Sequence, residues 1–205
     1  MKKTIIALMA LAGLASGATV DTIDTTDTNL VWYWDFSSNS ATSGGIAYSN
    51  APTLNAEGEY AVISSGSGMY TNNSALSNVG LTSTQSFTVS FDIRSFGSGD
   101  VFSLAVSDDD DWKKIMLTSN QGENLKLKFY GNSQSVDSGI AYGTRTEWTT
   151  ITLVGDDSIT EGVKLYVDGV LKGSFDMTAA TNWRNGAADG FQFAGSFRNN
   201  GTTVT

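Results

Sequence analysis

Residues 163–175 read Val163-Lys164-Leu165-Tyr166-Val167-Asp168-Gly169-Val170-Leu171-Lys172-Gly173-Ser174-Phe175. Val163, Leu165 and Val167 alternate with Lys164, Tyr166 and Asp168, the period of a strand that buries one face and wets the other. Asp168-Gly169 supplies the positive φ angles of a tight two-residue turn, and apolar residues resume at Val170. The stretch predicts a β-hairpin. Just upstream, residues 148–156 read as a strand ending in a turn.

Outward from the hairpin the same period recurs. In residues 87–94, Phe87, Val89, Phe91 and Ile93 point one way and Thr88, Ser90, Asp92 and Arg94 the other. In residues 30–36, Leu30, Trp32, Trp34 and Phe36 share one face, which predicts a first strand whose aromatics fill a core. Further strands are expected at 101–106, 114–118, 125–130 and 190–195, with a weaker one at 60–64. Residues 37–59 read as a loop region carrying one short strand. Short strands separated by turn residues, with no helical period of any length, predict an all-β fold: an antiparallel two-sheet sandwich of jelly-roll type.

Residues 1–18 read as a signal peptide. Lys2 and Lys3 form a basic start, residues 5–14 an apolar run, and Ser16-Gly17-Ala18 a small-residue cleavage site. The mature chain, residues 19–205, is expected to be one domain that is exported to the periplasm, the cell surface or the medium. The apolar run is short for a membrane span, so no membrane insertion of the mature chain is expected. The chain has no cysteine, so stability must come from packing and not from disulfides. A net charge of -9 argues against a nucleic-acid partner, which needs a concentrated basic surface. It is compatible with a neutral partner or a divalent cation.

Trp148, then a strand and a turn, then Lys164-Leu-Tyr-Val-Asp-Gly169, resembles the laminin-G-like branch of the concanavalin A-like lectins and glucanases. Phe87-Thr-Val-Ser90 is similar to a recurrent strand of that family, and the ending Trp34-x-Phe36 to its opening strand. Asp92 stands where the family often has a tryptophan, so no role of that aromatic carries over. The resemblance runs from about Leu30 onward and implies a concanavalin A-like jelly roll. Members usually add a closing strand after a glycine-rich segment such as Phe193-Ala-Gly-Ser196. Here Asn199-Asn200-Gly201 reads as a turn and the sequence stops at Thr205, so the closing strand is expected to be missing and the domain C-terminally incomplete. The edge beside the N-terminal strand would then be open to pairing with another chain.

With neither histidine nor cysteine, Ser-His-Asp triads, Cys-His nucleophiles and ordinary zinc sites fall away. No phosphate-binding glycine motif is present. Glycoside hydrolysis needs two carboxyl groups across the scissile bond. The Glu-x-Asp-x-x-Glu pattern of the laminarinase-like relatives is absent, and Glu57 and Glu59 sit in a loop-like stretch as ordinary solvated residues. No catalytic residue is assigned. Asp108, Asp109, Asp110 and Asp111 repel one another, so the run is either a solvated hairpin tip or a partial calcium site completed by another loop. Asp156 and Asp157 form a second acidic turn.

Sugars need flat aromatic surfaces and planar polar groups. By strand parity Trp112 points outward beside the acidic run. Trp183 stands in a loop with Arg184 and Asn185, and Tyr130 and Tyr142 are further exposed candidates. Trp183 reads equally as a cap on the core. The leading functional reading is an exported, non-catalytic module that binds a glycan or glycoprotein. A glycoside hydrolase and a structural or adhesion module of a surface protein are the alternatives.

Overall fold

The structure, a computed structural model, describes residues 87–94, 96–105, 114–129, 134–143, 146–155 and 162–175, together with the backbone of the other strands named here. In chain order the strands are β1 Lys3–Ile6, β2 Leu30–Trp32, β3 Trp34–Asp35, β4 Ser40–Ala41, β5 Ile46–Tyr48, β6 Thr53–Leu54, β7 Ala61–Val62, β8 Met69–Thr71 and β9 Phe87–Ile93. They continue as β10 Gly99–Ala105, β11 Lys114–Ser119, β12 Lys126–Phe129, β13 Ser135–Asp137, β14 Thr149–Gly155, β15 Val163–Val167, β16 Val170–Ser174, β17 Gly190–Phe193, β18 Phe197–Arg198 and β19 Thr203–Val204.

Two sheets carry the fold, ordered β16-β15-β14-β9-β1-β2 and β13-β12-β11-β10-β17-β8-β5. Each contains an antiparallel block of four strands, β16-β15-β14-β9 in one and β13-β12-β11-β10 in the other. Their facing sides build the core of a jelly-roll sandwich. β14 and β15 bury alternate residues without a break. Register sets Val89 opposite Leu153 and Phe91 opposite Ile151, so the apolar rows of neighbouring strands coincide. Across the sandwich Phe91 meets the fully buried Phe102 at a centroid distance of 5.5 Å. Ile115, Leu117, Leu125 and Leu127 close the core from the second sheet, each fully buried. Burial of such a side chain contributes about 1.5–3 kcal/mol.

The 163–175 hairpin forms as the sequence predicts. Asp168 and Gly169 adopt φ angles of 49° and 76°, the pair of left-handed residues that a two-residue turn needs. Asp168 Oδ1 accepts a hydrogen bond from the Thr150 amide at 2.8 Å, which ties the turn to β14. β16 is an edge strand, so the apolar run after the turn faces solvent: Val170 is 59% and Leu171 52% exposed. Gly173 lets that edge approach the other sheet. A Cβ built there would lie 3.0 Å from Val136 Cγ1 of β13.

Several elements differ from the sequence reading: residues 37–59, read as a loop region with one short strand, contain β4, β5 and β6, and β8 at Met69–Thr71 lies where no strand was expected. The single strand expected over 30–36 is divided, because Leu30–Trp32 pairs with β1 while Trp34–Asp35 pairs with Ser40–Ala41. Side-chain alternation cannot distinguish one long ladder from two successive ones. β13 went unread, since three residues with one buried side chain, Val136, are too short to show a period. Lys3–Ile6, within the segment read as a leader, lies parallel to both β9 and β2. β18 and β19, which flank the turn read at 199–201, pair antiparallel. Among the described residues no helix is long and apolar enough to cross a membrane.

Candidate functional site

The register divides the loops between two ends of the sandwich. At the end marked by the Asp168-Gly169 turn lie the connections β9–β10, β11–β12 and β13–β14, because Ile93 pairs with Thr149, Gly99 with Ser119 and Lys126 with Asp137. The β10–β11, β12–β13, β14–β15 and β16–β17 connections leave from the other end. There Ala105 pairs with Lys114 and Gly190, Lys128 with Ser135, Gly155 with Val163, and Lys164 with Ser174.

At the hairpin end a set of side-chain hydrogen bonds ties the loops together. Asp92 Oδ1 accepts from the Thr150 hydroxyl at 2.6 Å, and Thr150 also holds Asp168 through its amide. Asp137 accepts from Asn124 Nδ2 at 3.0 Å and from the Gly139 amide at 2.7 Å. The Ser138 hydroxyl accepts from the Ile140 amide at 3.0 Å, and Ser119 Oγ donates to the Glu123 carbonyl at 3.1 Å. Glu123 takes Lys126 Nζ at 3.2 Å and Asn120 Nδ2 at 3.2 Å. The hydrogen bond from Lys126, then the one from Asn120, then the charge of Lys126 hold its carboxyl below the ordinary range. The Arg94 guanidinium lies 5.1 Å from the Trp148 ring centroid, a cation–π contact on the outer face.

Among the described residues no group of three or more His, Cys, Asp or Glu side chains could hold a metal ion. Asp92, Asp137, Asp168, Glu123, Asn120 and Asn124 thus hold the loops of this end in place. Tyr142 belongs to it. Its ring is half-buried and meets the buried Phe96 edge-on at 6.4 Å and 85°, and Gly143 forms a backbone bridge with Phe96.

The other candidates fall on connections of the opposite end. Asp108, Asp109, Asp110, Asp111 and Trp112 lie in the β10–β11 connection, Tyr130 in β12–β13, Asp156 and Asp157 in β14–β15, and Trp183, Arg184 and Asn185 in β16–β17. These residues lie outside the described ones, as do Glu57 and Glu59. What the described strands establish is the shared end from which those four connections depart. Among the described residues next to these connections, Phe102, Ile115, Leu127, Leu153, Val163 and Phe175 are buried in the core.

Sequence reasoning passed over the Asp92–Thr150–Asp168 and Arg94–Trp148 sets. Parity places Asp92 and Arg94 outward, yet their partners lie tens of residues away, and only the β9–β14 register brings them together. On the outer face of the second sheet, Ser103 and Met116 are shielded from solvent, which strand parity alone does not foresee.

The chain is thus a jelly-roll sandwich in which side-chain hydrogen bonds tie loops at one end and four connections leave from the other. The chain belongs to the concanavalin A-like lectin/glucanases superfamily, with the Laminin_G_3 family model matching residues 65–203. Among curated proteins, none matches the chain in sequence.

Solved structures with similarity include the Ruminococcus gnavus IT-sialidase CBM40 bound to α2,3-sialyllactose, at 13% identity and a TM-score of 0.41, covering 57% of this chain and 66% of that one. The native heptameric SAP-like pentraxin from Limulus polyphemus is 20% identical with a TM-score of 0.39, covering 58% of this chain and 55% of that one. The binding domain of botulinum neurotoxin DC in complex with rat synaptotagmin II is 14% identical with a TM-score of 0.41, covering 73% of this chain and 38% of that one. This chain therefore spans two thirds or less of each of the three. At these scores the likeness is one of outline, and the family membership rests on the sequence match.

Proposed function

We propose that the chain is an exported, non-catalytic module that binds a glycan or glycoprotein through the loop end opposite the Asp168-Gly169 turn. The observation that carries this reading is the shared departure of the β10–β11, β12–β13 and β16–β17 connections, on which Trp112, Tyr130 and Trp183-Arg184-Asn185 fall. Aromatic faces for the C–H surfaces of a sugar and planar polar groups for its hydroxyls are the two ingredients such a site needs. Membership of a superfamily of lectins and glucanases supports the ligand class, though a shared fold does not carry function by itself. A net charge of -9 favours a neutral glycan over a strongly anionic one.

A glycan array followed by a reducing-sugar release assay on the bound glycans tests the reading. Binding without turnover is the expected result. Turnover makes the chain a glycoside hydrolase, and the absence of both makes it a structural or adhesion module. On a bound glycan, Trp112→Ala and Trp183→Ala are each expected to cost about 1 kcal/mol or more of affinity with little loss of fold stability, as exposed aromatic anchors do. Two mutants that bind like wild type would move the site elsewhere on the sandwich.

A further inference from the structure

Asp168 and Thr150 hold each other at two points. The Asp168 amide donates to the Thr150 carbonyl at 2.9 Å, and the Thr150 amide donates to Asp168 Oδ1 at 2.8 Å. Asp168 and Gly169 are both exposed, and no heavy atom lies within 4 Å of a Cβ built on Gly169. Among the described residues, nothing accepts a hydrogen bond from the Gly169 amide. A carboxyl carbon and an unhindered, unengaged amide nitrogen thus belong to adjacent residues at the tip of the hairpin.

The backbone is also close to what ring closure between them requires. An imide ring joining Asp168 Cγ to the Gly169 nitrogen restricts ψ of Asp168 to about −120°, which is the value of the first central residue of a type II′ turn, where φ is positive. Asp168 already has φ 49°, so only the peptide plane between Asp168 and Gly169 has to turn over. That flip converts a type I′ turn into a type II′ turn, and both are two-residue hairpin connections matched to the twist of the strands. It takes φ of Gly169 from 76° to a negative value, and glycine adopts either sign without steric cost. β15 and β16 keep their pairing while the ring forms.

We propose that Asp168-Gly169 is a self-modifying site, at which the folded hairpin cyclises to a succinimide and reopens as isoaspartate. The Asp168 carboxylate takes a proton from solvent, the Gly169 nitrogen bonds to Cγ, and the Cγ–OH bond breaks, so that the amide proton and the hydroxyl leave as water. Water then adds to one of the two imide carbonyls. Cleavage of the nitrogen–Cγ bond restores aspartate. Cleavage between the nitrogen and the Asp168 carbonyl carbon gives isoaspartate, with the chain running through Cβ and Cγ. Water is the only co-reactant.

The product cannot keep the turn. Isoaspartate adds one atom to the backbone of a two-residue connection and moves the carboxylate onto Cα, so both bonds to Thr150 are lost. Thr150 also donates through its hydroxyl to Asp92, and the change therefore reaches the β9–β14 ladder. The site lies at the end opposite the loops assigned to glycan binding and works whether or not those loops bind a glycan.

The full-length chain is incubated at neutral pH, folded and, in parallel, unfolded in guanidinium chloride. Tryptic cleavage after Lys164 and Lys172 releases residues 165–172, in which Asp168 is the only Asp or Asn. Electron-transfer fragmentation of that peptide separates isoaspartate from aspartate. A reaction that first had to unfold the domain would be slowed by the folding equilibrium, by roughly a thousandfold or more. The turn flip needs only a local opening, so isoaspartate should form in the folded chain within about tenfold of the unfolded rate.

Asp168→Asn keeps the turn chemistry and replaces water by ammonia as the leaving group. It should react faster and gain an acidic group in the same peptide. In the isomerised wild-type fraction, amide exchange at Thr150 should rise by about tenfold or more. A folded chain that forms no isoaspartate at this position, or forms it more than about tenfold slower than the unfolded chain, would overturn the proposal. So would an Asp168→Asn chain that gains no acidic group there, or an isomerised fraction whose Thr150 amide exchanges as in the native chain.

Discussion

Replacing Gly169 by Val isolates the backbone term that closes the central hairpin. Gly169 has φ +76°, and no heavy atom lies within 4 Å of a Cβ built there. The substitution therefore meets open space, and its cost comes from the left-handed conformation alone. That conformation costs about 1–2 kcal/mol for an ordinary L-residue, and a β-branched side chain places Val at about 2 kcal/mol or slightly above. With a urea slope of about 2 kcal/mol per molar, the unfolding midpoint should fall by about 1 M. The melting temperature should fall by about 4–8 °C for a domain of this size.

Urea titration followed by tryptophan fluorescence provides the measurement, since the half-buried Trp148 immediately precedes β14, the strand that pairs with the hairpin. Gly169→Asn serves as the internal control, because Asn visits the left-handed region readily and should recover most of the loss. Gly173→Ala supplies the contrast. Its φ is unexceptional, but the new Cβ meets Val136 Cγ1 at 3.0 Å, so its cost should be relieved by Val136→Ala. If Gly169→Val unfolds at the wild-type midpoint, or if Val and Asn cost the same, the strain argument fails.

Three other outcomes are expected. Phe102→Ala removes a fully buried ring packed on Phe91 and should lower stability by about 3–5 kcal/mol in a urea titration, whereas a loss under 1 kcal/mol would mean that the two sheets do not meet there. Lys126→Met should raise the carboxyl pKa of Glu123 toward the ordinary range in an NMR titration, because Lys126 is the first cause of its depression. The sign follows from that depression: the pair's stabilising effect is present above the unfolded pKa of Glu and is lost as pH falls through the lowered folded value, and an unmoved titration would dissociate the two groups. If Asp108–Asp111 take calcium with a neighbouring loop, added calcium should raise the melting temperature and Asp109→Asn/Asp111→Asn should abolish the rise, with an equal response in both proteins ruling the site out.

From the sequence alone, the hairpin was legible down to its turn, because Asp168-Gly169 between two alternating runs has few conformations open to it. The core rows of β9, β12, β14 and β15 were equally legible, since strand period is a local property and Val89, Phe91, Leu127, Ile151, Leu153 and Leu165 are buried as their parity requires. The absence of His and Cys removes whole classes of chemistry whatever the fold. Residues able to recognise a sugar could be named, but not placed together.

Tertiary structure decided what depends on pairing between distant segments. It divided residues 30–36 between two ladders, added β13, and left Val170 and Leu171 exposed on an edge although their neighbours alternate like a buried strand. It also separated the Tyr142 end, where Asp92, Asp137 and Asp168 hold loops in place, from the end that sends out the connections bearing Trp112, Tyr130 and Trp183. Period specifies which way a side chain points within its strand. Which strand lies alongside, and which loops share an end, is set by hydrogen bonds between segments far apart in the chain, and local sequence carries no record of them.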